Sequence, residues 1–328
     1  MTRAHNRSAG VRIVKWIRDR IDSSLLSTFF ILLITSHAAT AADDLRSLIA
    51  ASPELPYRST YLDAQPPAAG WESGMVSWVA LDNRHGLIYE IQRGDKADPV
   101  LVLDRAGKVV RSWGKGDYQI PHSIRIDPSG NVWTVDAGSS TVIKYSPTGR
   151  KLMTIEVGEQ PAGKGPFSGT TDIAFGPHGH LFITDGYGNA RVLEYTADGK
   201  RVKQWGQPGT GPGELHLPHA IRIVAGMVYV ADRENGRIEK FDLEGRYVGE
   251  IDNLGRVYSL EVAGDVIWAC VQEKSKPAGP GGWLVKLDLE TGKILGHLEV
   301  SGLHSVELSA AAEPIIVEAN KLLRLKPK

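Results

Sequence analysis

The sequence predicts an all-β fold, a six-bladed β-propeller, and three observations carry that expectation. A two-strand unit with a turn recurs six times along the chain. Glycine is abundant, 36 of 328 residues, which implies many turns. Histidine falls at the same register in every second repeat.

The clearest repeats are PHSIRIDPSGNVWTVD (121–136), TTDIAFGPHGHLFITD (170–185) and PHAIRIVAGMVYVAD (218–232). Each alternates apolar and polar residues, turns at a glycine, and returns to a terminal Asp, which is a hairpin signature. Each is followed by a further strand, a turn and a fourth strand: IKYSPTGRKLMTI (143–155), LEYTADGKRVKQW (193–205) and EKFDLEGRYVGEI (239–251). Four strands at a period in the high forties are blades of a propeller. Weaker copies open at 76, 257 and 303. Only one strand, 321–325, follows the last of these hairpins. The missing outer strand is therefore expected from residues 54–63, which removes the open sheet edge. The propeller proper is placed at 74–328, with 42–73 as an N-terminal segment. The pairs Asp185/Arg191 and Asp232/Arg237 repeat with the fold and resemble the NHL-type propeller signature. They are expected to be structural.

Residues 1–41 read as a signal peptide. Six basic residues from Arg3 to Arg20 precede an apolar run, Leu25 to Ile34, and Ala39-Thr40-Ala41 fits a small-x-small cleavage site. The run is short for a membrane span. The alternative is an uncleaved anchor. In both cases the domain is expected to be exported, periplasmic or secreted, with no stable membrane insertion after cleavage. The formal net charge is zero and no basic stripe is present, which argues against nucleic acid as a partner. Cys270 is the only cysteine, so no intrachain disulfide can form. A monomer is expected.

Aligned on their first apolar position, the six inner strands carry Ser77, His122, Thr171, His219, Tyr258 and His304 two places earlier. Inner strands line the axis and all start on one face. Histidines in blades two, four and six can therefore meet at one point, and three imidazoles with an open position suit catalytic zinc. The bland alternative is three unrelated histidines, each hydrogen-bonded at a strand start. Loops after the second strands share that face. They carry Arg93, Tyr187 and Arg233, two cations and a phenol. The cations and a nearby metal are expected to favour tyrosinate at Tyr187.

With those residues set out, 76–251 resembles the lyase domain of peptidylglycine α-amidating enzymes. The shared strings are PHSIRID with NVWTVD, DGYGNARV, and ADRENGRI after LPHA. The likeness is weaker from 252 to 328. The resemblance implies a six-bladed propeller that cleaves peptidyl-α-hydroxyglycine to a peptide amide and glyoxylate. It implies zinc on His122, His219 and His304, Tyr187 as the base, and Arg93 and Arg233 as substrate-binding groups. It also implies a structural calcium on the axis, with backbone carbonyls of Val79 and Ile124 among its ligands. Three positions depart from the family pattern: Ser305 replaces an Asp, Gly302 a Met, and Gly188 a Cys. The first puts calcium in doubt, because the carboxylate ligand is lost. Two competing readings are a non-catalytic NHL-type propeller that binds a peptide or protein, and a calcium-dependent lactonase-type hydrolase. The second would want Glu, Asp and Asn on the axis, where this chain has histidines.

Overall fold

The computed structural model describes residues 44–160, 165–279 and 281–328, and Leu45–Lys328 form one compact unit. The expected signal peptide, residues 1–41, lies outside the described residues. Among those described, no helix is long and apolar enough to cross a membrane.

Six four-stranded antiparallel sheets follow one another. Their innermost strands are Val76–Asp82, Pro121–Ile126, Asp172–Phe175, Pro218–Val224, Arg256–Ala263 and Val306–Leu308. In blades one to five the four strands are consecutive in the chain. The sixth blade takes its outermost strand from the other end of the chain. Tyr57–Leu62 pairs antiparallel with Lys321–Pro327, from Tyr57 opposite Pro327 to Leu62 opposite Leu322. The ring therefore closes by hydrogen bonds between the two ends, and the seam strand begins N-terminal to residue 74. A short helix, Asp44–Ala51, precedes it. Leu45 and Ile49, one helical turn apart, are its buried residues, while Arg46 makes a bidentate ion pair with Glu273.

The blades stack through apolar faces. Trp133, Val135, Ile173, Ile183 and Leu193 fill the space between blades two and three. Ala174, Val192, Ile221 and Val230 do so between three and four. Each such Val, Leu or Ile side chain contributes about 1.5–3 kcal/mol on full burial. Cys270 lies in the same kind of interface and is completely buried, which pushes its thiol up to about 12.

The last residue of each second strand is polar and binds the chain as it enters or leaves the blade. Asp136 accepts from the amides of Gln119 (2.9 Å) and Ile120 (2.6 Å), just ahead of His122. Asp232 accepts from the His216 amide (2.6 Å), three residues before His219. Glu318 accepts from Ser301 (2.9 Å) and Gly302 (3.2 Å), just ahead of His304. Arg191 and Arg237 each reach the Asp of their own blade at 2.9 Å. The Asp/Arg pairs thus have the structural role expected of them, and they anchor the segments that position the rim.

Glu90 in blade one is buried, with Oε1 unpartnered, and burial pushes its carboxyl up to about 8. A folded-state value above the ordinary 4.5 means its contribution to stability is complete below pH 4.5 and is lost as pH rises through 8. Glu90→Gln should remove that loss. Relative to wild type, the variant should gain about 3–5 kcal/mol between pH 4.5 and pH 9 in denaturant titrations. Parallel pH profiles for the two proteins would show that Glu90 is ionised in the native state.

Candidate metal centre and its rim

His122, His219 and His304 meet on the axis. Their ring centroids form a nearly equilateral triangle with sides of 4.9, 5.0 and 5.0 Å. One donor atom from each lies within 4.8 Å of the other two. No two of these rings face opposite ends of the channel. A β-bulge does the aiming. In blades two and four the strand register slips between Pro121 and Ser123 and between Pro218 and Ala220, leaving each histidine as the extra, unpaired residue. Blades one and five carry the same slip at Ser77 and Tyr258. A bulge turns the extra residue's side chain out of the ladder, here towards the axis.

The neighbouring blade then fixes each ring. His122 donates its Nδ1–H to the Thr171 carbonyl (2.6 Å), His219 to that of Tyr258 (2.5 Å), and His304 to that of Ser77 (2.7 Å). Each acceptor holds the histidine's register position in the next blade. With every Nδ1 proton committed, all three Nε2 lone pairs face inward. Burial, followed by repulsion from the other histidines and from Arg93 and Arg233, keeps the rings neutral. His304 falls to about 3, and His122 and His219 lie well below their ordinary value.

The Tyr187 hydroxyl lies 3.1 Å from Nε2 of both His122 and His219. One phenolic proton can satisfy only one of these lone pairs. A cup of three inward nitrogens with a single proton among them fits a Lewis acid, and neutral imidazole is a good zinc ligand. The donor set therefore fits the metal the sequence suggested.

Tyr187 sits between two glycines whose lack of a side chain permits its loop. A Cβ at Gly186 would come within 2.1 Å of the Pro218 carbonyl, and one at Gly188 within 2.0 Å of the Ser168 carbonyl. The cysteine of the family pattern has no space at 188. Nor does the methionine at 302, where a Cβ would meet Glu318 and the Ala319 amide at 2.9 and 3.0 Å. Phe167 packs on the Tyr187 ring at 5.0 Å, and Arg93 stacks on Phe167 at 5.3 Å.

Arg93 also donates to the Pro121 carbonyl and to Ser77 Oγ, both at 2.9 Å. Arg233 lies 5.0 Å over the Tyr258 ring and donates to Glu234 (2.9 Å), which Arg256 holds from the other side (2.9 Å). The two predicted arginines thus share the rim with Tyr187.

Among the protein's own groups, burial is the largest influence on Tyr187 and raises its pKa; Arg233 and Arg93 oppose it without prevailing. The expectation of tyrosinate counted a metal beside these cations and left out the depth of the phenol.

Several contributors carried no signal that sequence reasoning used. Trp78 is fully buried on the axis, its ring 5.8, 6.2 and 5.6 Å from His122, His219 and His304. It floors the cup. Thr171, Tyr258 and Ser77 shared the histidine register in the alignment, yet their role lies in their carbonyls, which no side-chain pattern reveals.

The calcium ligands fare differently. Val79 and Ile124 are fully buried on the inner strands. The core beneath the histidines holds the Arg125 guanidinium, 4.8 Å from the Trp78 ring and paired with Asp172, Glu261 and Glu307. Carboxyl oxygens already held by a guanidinium do not fit a dication, which requires a shell of oxygens of its own.

The comparisons with known proteins bear on the fold and on the family resemblance. A family described as a 6-bladed beta-propeller matches residues 170–260. The chain is 32% identical over 212 residues to "Peptidyl-glycine alpha-amidating monooxygenase" of Mus musculus, an alignment covering 54% of this chain and 22% of that protein. It is 31% identical over 251 residues to "Peptidyl-alpha-hydroxyglycine alpha-amidating lyase 2" of Drosophila melanogaster, covering 72% and 61%. This chain therefore matches about a fifth of the first relative's length and about three fifths of the second's. The solved "Streptogramin B lyase structure" aligns with a TM-score of 0.56 at 14% identity, covering 83% of this chain and 98% of that one, a likeness of fold alone. The resemblance read from the repeats is thus borne out by homologues that carry the lyase name.

Proposed function

We propose that this chain, a relative of the peptidyl-α-hydroxyglycine α-amidating lyases, is itself such a lyase, exported from the cytoplasm. It splits a peptidyl-α-hydroxyglycine, or a related carbinolamide, into an amide and glyoxylate. The observation that carries this reading is the Tyr187 hydroxyl, held 3.1 Å from two of three converging imidazole nitrogens on the rim shared by Arg93 and Arg233.

The reaction asks for few parts. The substrate hydroxyl loses its proton, its oxygen electrons close the carbonyl of glyoxylate, the carbon–nitrogen bond breaks, and the amide nitrogen gains a proton. Atoms and electrons balance without water or a redox partner. Tyr187, as the tyrosinate, would take the hydroxyl proton and return it to the departing nitrogen. Arg93 and Arg233 would hold the carboxylate and the charge that develops on oxygen. His122, His219 and His304 would hold zinc, which supplies Lewis-acid polarisation of the substrate oxygens. Burial resists ionisation of Tyr187, so the two guanidiniums matter as much for the base as for the substrate.

Purified protein loaded with zinc should release glyoxylate from an α-hydroxyglycine peptide. If zinc is bound and several such peptides yield none, the reading gives way to a peptide-binding propeller. A finer test lies in the loop. Gly188→Ala must push the Ser168 carbonyl and Gln160 aside, because its Cβ would come within 2.0 and 1.9 Å of them. This should lower turnover about 10–100-fold through displacement of Tyr187, with zinc content unchanged. Unchanged turnover in that variant would show that the phenol's position is not critical.

A further inference from the structure

We propose that Arg125 is the axial cation of this propeller: a guanidinium built into the chain occupies the core beneath the histidine cup, and no calcium ion is bound there. The inference stands apart from the reaction assigned above.

The axis can be followed inward from the histidines. The first level below them is Trp78, roughly equidistant from all three rings. Arg125 is three residues beyond His122 on the same inner strand, about 10 Å further along the channel. Its guanidinium carbon lies 4.8 Å from the Trp78 ring, a cation–π contact in a fully buried setting.

The guanidinium is also the hub of an ion network drawn from four other blades. It grips Asp172 of blade three with two bonds, Nε to Oδ1 at 3.0 Å and Nη2 to Oδ2 at 2.8 Å. Its Nη1 reaches Glu261 of blade five at 3.1 Å and Glu307 of blade six at 3.0 Å. Arg222 of blade four joins from the side, donating to Asp172 (3.1 Å) and Glu261 (2.7 Å).

Three of the four partners occupy a common level. Counted from the aligned histidine position, Arg125, Arg222, Glu261 and Glu307 are all three residues on. Asp172 is one residue on, the level at which Ser305 stands in blade six. A carboxylate is thus present in the layer where Ser305 supplies none. It sits in a different blade, and a guanidinium has already claimed both its oxygens.

A structural ion on the axis neutralises inward carboxylates and ties blades together. Arg125 does both. It crosslinks blade two to blades three, five and six, and it cancels charge where a dication would compete with it directly. The network holds three carboxyl groups and two guanidiniums, and burial together with Glu261 pushes Glu307 well up towards its neutral form. Deleting Arg125 leaves buried carboxyl oxygens with only Arg222 to hold them, and oxygens are what a calcium ion takes as ligands.

The experiment compares thermal unfolding of the full-length wild type, Arg125→Met and Arg125→Lys, each with and without millimolar calcium, with zinc held constant in every arm. Wild type should show no calcium response and hold no calcium by elemental analysis. Arg125→Met should unfold several degrees lower in calcium-free buffer and regain part of that loss when calcium is added. Arg125→Lys, which keeps a positive charge, should fall less and show no calcium response. If Arg125→Met fails to fold without calcium, the same rescue is read as soluble yield from cells grown with added calcium. A calcium-dependent rise in the wild-type midpoint, or stoichiometric calcium in the purified wild type, overturns the proposal. So does an Arg125→Met protein that calcium does not rescue, since the guanidinium would then be a packing element only.

Discussion

Tyr187→Phe should give a folded protein that still binds metal but turns over an α-hydroxyglycine peptide about 10²–10⁴-fold more slowly. The substitution keeps the ring that packs on Phe167 at 5.0 Å and removes only the oxygen that lies between His122 and His219. Folding should be unaffected, because the loop is positioned by glycines and backbone contacts and not by the hydroxyl. The phenol also lies against the imidazole nitrogens, on the rim where the two arginines cannot give up a proton. The check is single-turnover glyoxylate release together with zinc analysis of the same sample. Wild-type turnover in the variant would remove Tyr187 from the chemistry and direct attention to water at the metal.

The second large effect is expected from His304→Ala. It deletes one of three inward nitrogens and leaves the Ser77 carbonyl, which His304 holds at 2.7 Å, without its donor. Two imidazoles alone are a poor zinc site, so metal content should fall from near one ion per chain to near none after dialysis, and turnover should fall with it. His304→Ala protein that still retains zinc through dialysis would show that the metal is held elsewhere. The two variants are distinguishable: Tyr187→Phe loses activity with zinc retained, whereas His304→Ala loses both.

Much of this site was legible because propeller geometry repeats. A register that places His122, His219 and His304 on alternate inner strands is visible as spacing, and the strand-to-loop topology puts Arg93, Tyr187 and Arg233 on the same rim. What escaped notice depends on depth and on backbone. The bulges at His122 and His219 are differences in register between paired strands, and a single strand's sequence does not contain them. The sign of the Tyr187 shift required its burial, which outweighs two nearby guanidiniums. Trp78 and Arg125 read as ordinary members of apolar and alternating strands, and only assembly of the ring shows them stacked on the axis. The helix Asp44–Ala51 was likewise unseen, since eight residues give too little periodicity to read.

The hydrogen bonds that orient the histidines have a consequence for assembly. Each ring belongs to one blade and is pointed by the next, so the three bonds run from blade two to three, four to five, and six to one. The last of these crosses the seam, where the strand Tyr57–Leu62 pairs with Lys321–Pro327, made after every other strand of the ring. His304 acquires its orienting carbonyl only when blade six lies against blade one. A metal held by the three histidines would therefore act as a proofreading step for the circle: a chain whose seam has not closed offers two correctly aimed ligands and a third that is free to turn away.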